Sequence, residues 1–459
     1  MLRRLSTGVA AAVAMGCTPA SVELPLPASG GGSGGASEGG GDGPGDCVID
    51  GELWVDNVDG DNANAATEVS PVADLDAALA RAGECTRIHL RATAVGYRGA
   101  CIARAGIEVV GEGGRPLIDQ PVTCDGRLVG LFVRADHVRI SGLAVDVSAH
   151  GGEQARAVVL SGVPEAPIAD VTVLDVVATG PGPGAEGRAL LSSSLCFGCA
   201  FESCTASGSE GAGIGFDNHQ DDAIIRGNRV TNTGDGCVVV NGEPSAAIPG
   251  DSVLDGVSSG VLVERNVLSG CGGPAIHLAS AVSGRIVDNV VTATTAGALR
   301  LDDDGVGDPA YASRDHLIAH NTFDCTLCLV PAIRLLAGSI GNRLVDGLVV
   351  APDAVVELAA DVRADVVFDH NGYATAIGFV DADGAPIGLT QWQALGFDQG
   401  SIAVPTETTF VDPVSGDLHL RAGSPAIDAG IDVGVELDAD AGPRLVGAAP
   451  DLGAYEFDG

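Results

Sequence analysis

Lysine is absent from this sequence: all 24 basic residues are arginine, set against 61 aspartates and glutamates. Mechanisms that use lysine as a proton-abstracting base are therefore closed. The formal charge of −37 excludes nucleic acid as a partner, since binding there is dominated by neutralising phosphates. It also disfavours polyanionic glycans unless a cation bridges them. Aromatic residues make up only 3% of the chain, while Val, Ala, Leu and Ile dominate, as suits a narrow core. The apolar run near the N-terminus is shorter than the ~20 residues that a transmembrane helix needs.

What the sequence does have is internal repetition. Between residues 223 and 373 one phrase recurs as IIRGNRVTN, VLVERNVLSG, RIVDNVVTA, LIAHNTFDC, RLVDGLVVA and VVFDHNGYA. Asn228, Asn266, Asn289, Asn321 and Gly347 align within it, at steps of 38, 23, 32 and 26 residues. The 23-residue step is the bare unit, and the longer ones carry Gly-, Pro-, Asp- and Ser-rich insertions at 241–259 and 302–313 that read as loops. A second phrase (GAGIGFD, GCVVVNG, PAIHLAS, GALRLDD, PAIRLLA, AVVELAA) alternates as short strands do. Units this short cannot bury an apolar face alone and must stack on their neighbours. The simplest such object is a parallel β-helix, in which Asn228, Asn266, Asn289 and Asn321 would form a hydrogen-bonded ladder at one turn.

These repeats resemble the pectin lyase-like superfamily over most of the chain. The resemblance implies an all-β, single-stranded right-handed parallel β-helix with a short N-terminal capping helix and a C-terminal capping segment. The rungs occupy residues 101–373, preceded by an N-terminal cap over 47–100. Within that cap, Asp56, Asp59, Asp61 and Asn62 read as an Asx-rich turn rather than a cation site. A helix is expected from near Pro71, with Ser70 as N-cap and Leu75, Ala78 and Leu79 on one face. Residues 374–459 carry FVDPVSGDLHL, GSPAIDAG and DLGAYEF, which look like the C-terminal block of secreted β-helix proteins. Its Asp-rich turns and final apolar strand are expected to close the end of the stack.

The first 17 residues, MLRRLSTGVAAAVAMGC, read as a signal peptide over 1–16 followed by a lipidated Cys17. Ala14-Met15-Gly16-Cys17 looks like a bacterial lipoprotein box, although Ala14 replaces the usual Leu. A Gly/Ser/Pro tether extends to residue 46. The expected location is the bacterial cell envelope, as an outer-membrane lipoprotein held only by its lipid anchor, or outside the cell. The 12 cysteines then read as structural disulfides or buried thiols. Cys101 and Cys124, 23 residues apart, could face each other on adjacent rungs. Cys196/Cys199 and Cys325/Cys328 have no histidine in ligand spacing, which argues against zinc.

In register, the second phrase places Gly215, Val239, His277, Arg300, Arg334 and Glu357 in one outward column, and Asp217, Asn241, Ala279 and Asp302 in the next. Adjacent rungs lie about 4.8 Å apart, so His277, Arg300 and Arg334 would stand in a row suited to a linear chain such as an extracellular polysaccharide, with Asp217, Asn241 and Glu357 as ligand-binding candidates. The favoured function is a surface-anchored protein that binds such a polysaccharide or serves a structural role. The alternative is a Ca²⁺-dependent uronate lyase with His277, Arg300 and Arg334 as its catalytic residues, arginine as the base, and Asp302, Asp303 and Asp304 as metal ligands. The arginine pKa above ~12 weighs against this. A glycosidase would need paired carboxylates across the scissile bond, and the Gly-His-Gly and Arg-Ile-Lys signatures of polygalacturonases are missing. The turn FDNHQDD (216–222) reads as a polar turn before a strand.

Overall fold

In a computed structural model, residues 48–184, 188–242, 255–352, 354–374, 378–380 and 385–459 are described. The signal peptide, Cys17 and the tether lie outside them. Each repeat supplies three strands to three long parallel sheets. The first sheet has 12 strands, from Gly51–Val55 to Val367–Asp369; the second has 12, from Tyr97–Arg98 to Ile402–Ala403; the third has 11, ten of them parallel from Ala100–Ile102 to Val356–Leu358 and one, Val122–Cys124, antiparallel. The chain visits first, second and third sheets in turn before pairing with its own previous rung. This is a right-handed parallel β-helix, the hand that parallel crossovers adopt.

Alternation along each strand fills the interior. On the first sheet Ile88, Val109, Ile140, Val173, Phe201, Ile225, Val263, Ile286, Ile318, Leu344 and Phe368 are successive partners. All are buried. Each such side chain contributes roughly 1.5–3 kcal/mol of burial, and each depends on the rung above and below. The phrase that repeats in the sequence is therefore the unit that cannot stand alone.

Asn228, Asn266, Asn289 and Asn321 sit at the buried turn between first and second sheets. Nδ2 of each of the first three donates to Oδ1 of the next, at 3.0, 2.9 and 3.0 Å. Their backbone N–H groups donate to the same oxygens. Cys204, a free buried thiol, occupies the position before Asn228, and its backbone N–H donates to Asn228 Oδ1. Gly347 interrupts the side-chain run, but its N–H donates to Asn371 Oδ1 at 2.8 Å, which carries the hydrogen-bond pattern one rung further.

At the N-terminal end the helix is Leu75–Leu79, with Asp74 rather than Ser70 at its N-cap position. It starts later than Pro71 because Val72 is still extended, pairing with Val55. Asp56 and Asp61 accept the N–H groups two residues on, as Asx turns do, while Asn62 accepts those of Ala73 and Asp74 across the loop.

The C-terminal segment divides its work. Phe379 and residues 385–404 close the stack: Trp392 of helix Leu389–Ala394 stacks on Phe379 and Phe397, and its Nε1 donates to the buried Asp398. Residues 418–457 do not extend the closed end. They run back along the outside, over the corner between first and second sheets, as a strap. Leu418, Leu420, Ala426, Leu452 and Ala454 cover the outward-facing Val267, Val290, Leu348 and Val350. Val433 and Val435 cover Leu262, Val287, Leu317, Ala319 and Val345. This corrects the expectation that the final apolar stretch seals the end. Its target is an apolar outer surface that rung stacking leaves exposed. The strap's Arg444, 2% exposed, bonds the buried Asp288 and the carbonyls of Gly453 and Ala454. Gly453 has φ +89°, and a Cβ there would lie 2.6 Å from Leu348 and 2.7 Å from Thr322, so this close approach requires glycine.

Disulfides join Cys101–Cys124, Cys196–Cys199, Cys237–Cys271 and Cys325–Cys328, and Cys85 is also disulfide-bonded. Cys124 reaches Cys101 from an antiparallel hairpin, Val122–Cys124 against Arg127–Val133, rather than from the next rung.

Candidate functional site

The third sheet holds the outward columns in register. Gly215, Val239, His277, Arg300, Arg334 and Glu357 are successive partners, and so are Asp217, Asn241, Ala279 and Asp302. The structure brings His277, Arg300 and Asp302 together. His277 Nε2 is 3.0 Å from Asp302 Oδ1, and Arg300 Nε donates to Asp302 Oδ2. Burial pushes the Asp302 carboxyl up, yet the hydrogen bond and charge of His277, the Asp304 N–H and the charge of Arg300 hold it below its ordinary range. Arg334 belongs to a separate pair, with Nε 2.6 Å from Glu357 Oε2. Asn241 donates to Asp304 Oδ2 at 3.0 Å.

The three aspartates do not fit a calcium ion. Asp302 accepts from His277 and Arg300, Asp303 accepts the N–H groups of Gly305 and Gly307, and Asp304 takes the Asn241 amide. Their oxygens turn toward different protein donors instead of converging. Among the described residues no group of three or more His, Cys, Asp or Glu is arranged to hold a metal ion.

Just past the third-sheet strands, four successive rungs turn the corner toward the first sheet and enclose a cleft of about 300 Å³. His219 and Asp221 come from the first of these rungs, Asp255 and Ser259 from the second, Val282 from the third, and Tyr311 and Arg314 from the fourth. The loop after Asp302 thus links the polar row to this cleft. Asp221 anchors it: Oδ1 accepts the Ser259 N–H and hydroxyl at 2.8 and 2.7 Å, and Oδ2 lies 3.1 Å from His219 Nε2. Burial raises the Asp221 carboxyl, but these bonds outweigh it and hold it low. His219 is 2% exposed, and its Nδ1 has no hydrogen-bond partner, with Asp255 Oδ1 at 3.4 Å. Both Asn218 and His219 have positive φ, +63° and +71°, a backbone strain of the kind that concentrates at functional sites. Arg314 is turned inward onto the Ala310 and Ala312 carbonyls and pins the loop that presents Tyr311.

Reading FDNHQDD as an ordinary polar turn missed this cleft. A signal was available: the insertions at 241–259 and 302–313 both follow the second phrase, so both emerge at one corner. FDNHQDD follows the same phrase three units earlier than the second insertion.

No family model matches the chain, and no curated protein does. Among solved structures it is similar to pectate lyase Pel9A, at 15% identity and a TM-score of 0.54, over 90% of this chain and 100% of that one. It is also similar to the A-module of the Azotobacter vinelandii mannuronan C-5 epimerase AlgE6, at 12% identity and a TM-score of 0.47, over 72% and 93%. A third is a GH136 lacto-N-biosidase from Eubacterium ramulus, at 11% identity and a TM-score of 0.46, over 71% and 64%. At 15% identity the likeness to the pectate lyase is one of fold: this chain is built as a right-handed parallel β-helix.

Proposed function

We propose that this protein binds an extracellular polysaccharide along the outer face of the third sheet, with the corner cleft gripping part of the chain. The observation that carries the reading is continuity. One row of polar side chains, in register over successive rungs, shares the rungs of His277 and Arg300 with the corner cleft. A linear polymer lying along the axis would meet both, with Tyr311 offering a ring and Asp255 and His219 offering acceptors for hydroxyl groups. The disulfides fit an oxidising, exported setting. Among the described residues no helix is long and apolar enough to cross a membrane, and the lipid anchor at Cys17 is the proposed attachment to the cell surface. The neighbour named a pectate lyase is in keeping with a sugar polymer as ligand.

The lyase reading stands second. Arg300 and Arg334 each commit Nε to a carboxylate, and the aspartate cluster does not converge on a cation. Affinity electrophoresis against a panel of linear polysaccharides tests the proposal: retardation is expected with at least one, and Tyr311→Ala should weaken it about tenfold, which corresponds to about 1.4 kcal/mol. Absence of retention by every polymer would refute glycan binding. Unsaturated uronate products formed with Ca²⁺, and abolished by Arg300→Ala, would put the lyase in its place.

A further inference from the structure

The outer face of the third sheet has a second charged region, at the end nearer the N-terminus. Arg127 and Arg134 both reach the same carboxylate, Asp125, at 2.9 and 2.6 Å. Both also lie over the ring of Phe132, at 5.9 and 5.3 Å. On the next rung Arg156 donates to the hydroxyl of Ser192, itself 2% exposed, at 3.2 Å. Among the described residues neither Arg156 nor Arg188 has a carboxylate within ion-pairing distance. Burial, with the charges of Arg188 and Arg127 beside it, lowers Arg156 to about 10, and the charge of Asp217 acts the other way.

This arrangement runs against the rest of the molecule. With 61 acidic residues in the chain, a half-buried guanidinium could readily have been given a carboxylate. Instead it is placed beside other guanidinium groups, and each charge raises the cost of the others. An incoming anion would remove that cost. The planar forks of arginine suit the oxygens of a carboxylate or sulfate, and the Ser192 hydroxyl adds a further polar contact.

We propose that Arg127, Arg156, Arg188 and Ser192 form an oxyanion subsite on the third face, which receives the carboxylate or sulfate group of an acidic glycan. This rests on the reading of that face as glycan-binding and names the class of glycan. It also reverses the argument from net charge: −37 over the whole chain disfavours a polyanion only where the surface is uniformly acidic, and here the local sign is positive. No bridging cation is needed at this position.

The test uses the purified protein, immobilised, with three soluble probes: dextran, dextran sulfate and polygalacturonate. At least one of the two acidic polymers should bind about tenfold or more tightly than dextran, with affinity falling as salt rises. Preference for dextran sulfate would assign a sulfate ester, and preference for polygalacturonate a carboxylate. Arg156→Gln and Arg188→Gln should each weaken the acidic polymer about fivefold or more while leaving any dextran binding unchanged, and inorganic sulfate should compete. Arg188 is exposed, so its variant decides the matter if Arg156→Gln fails to fold. Equal binding of dextran, or acidic-polymer binding untouched by Arg188→Gln, would overturn the subsite and leave the glycan-binding reading standing. Binding of no glycan at all would remove both.

Discussion

The two sides of the solenoid differ in what they turn outward. At the corner of first and second sheets the outward residues are apolar (Leu262, Val287, Leu317, Val345, Val290 and Leu348), and the C-terminal strap lies over them. On the third sheet the outward residues are His277, Arg300, Arg334 and Glu357, and no described segment covers them. The strap side buries its charges in fixed pairs such as Arg444 with Asp288. The third face keeps its pairs partly exposed, with side-chain exposures of 26% and 42% for Arg334 and Glu357. The difference teaches how to read an outer face of a β-helix. An apolar outward column calls for a returning stretch of chain to cover it, and a polar column in register stays open to a ligand.

The largest effect is expected on the covered side. Replacing Arg444 by Met keeps bulk but strands the Asp288 carboxylate, 0% exposed, without its cation. Breaking one half of a buried pair costs about 3–5 kcal/mol. Denaturant titration should show this loss, together with proteolytic release of the strap, while glycan binding on the far face stays unchanged. The double variant Arg444→Met with Asp288→Leu should recover much of the loss, because the charge and its partner then leave together. If glycan binding fell in step with strap stability, the two sides would not be independent.

Next in size is the ladder that both sides share. Asn266→Ala removes the acceptor of the Asn228 N–H and amide and the donor to the Ile225 carbonyl, all buried. Leaving such groups unsatisfied costs about 1–3 kcal/mol each where they cannot find water. A stability loss of about 2–3 kcal/mol is expected by the same titration. A loss no larger than that of an exposed substitution would show the ladder to be decorative.

The ladder was legible in the sequence because asparagine recurs at one alignment position, and each of the four is bonded to a neighbour there. The outward column was equally legible, since alternation and register fix which way each strand residue points. The strap was not. GSPAIDAG and DLGAYEF reveal tight turns, but the structure shows what those turns serve: Asp428 accepts the N–H groups of Ala448 and Ala449, and Asp451 accepts those of Asp428 and Phe457. Where the block lands depends on an apolar surface that only exists after the rungs stack. Val290 and Leu348 could have given the warning, as apolar residues in outward positions. The corner cleft was hidden for a related reason, since Asp221, Asp255 and Tyr311 are brought together by rungs rather than by sequence.

Raising the pH should separate the two sides. On the strap side, burial raises Asp346 to about 7, and the bond to Asp440, opposed by burial and aided by Asp417, raises His419 to about 9. Groups whose folded value lies above the unfolded one bind more protons when folded. Their contribution is complete below the unfolded values of about 3.9 for Asp and 6.5 for His. It is lost as pH rises through about 7 and 9. On the open side Asp302 and Asp221 are held low, so their contribution is present above the unfolded carboxylate value and lost as pH falls through the folded one. Hydrogen exchange read region by region should show the strap loosening first on going to pH 9, while in acid the third face loosens through Asp302 and Asp221 and the strap side through His320, which burial against the strap's Asp451 carbonyl lowers to about 3. His419→Gln should flatten the strap's response between about pH 6.5 and 9. Uniform loosening of both sides at high pH would erase the distinction.

The smallest effect on stability, and the sharpest test of what the open face is for, comes from Arg334→Gln. Its partner Glu357 is substantially exposed, and pairs of that kind contribute between about 0 and 1 kcal/mol. The fold should therefore register almost nothing. A row that exists to hold rungs together would then show no further consequence, whereas a row that meets a polymer loses a contact. Affinity electrophoresis of Arg334→Gln beside a Glu357→Gln variant separates the two roles. A structural pair predicts equal and negligible changes in binding from either partner. A ligand contact predicts that loss of the guanidinium weakens the polymer while loss of the carboxylate, which frees the guanidinium, leaves it unchanged or strengthens it. That opposite response from two partners of one ion pair is something no loss of packing can imitate.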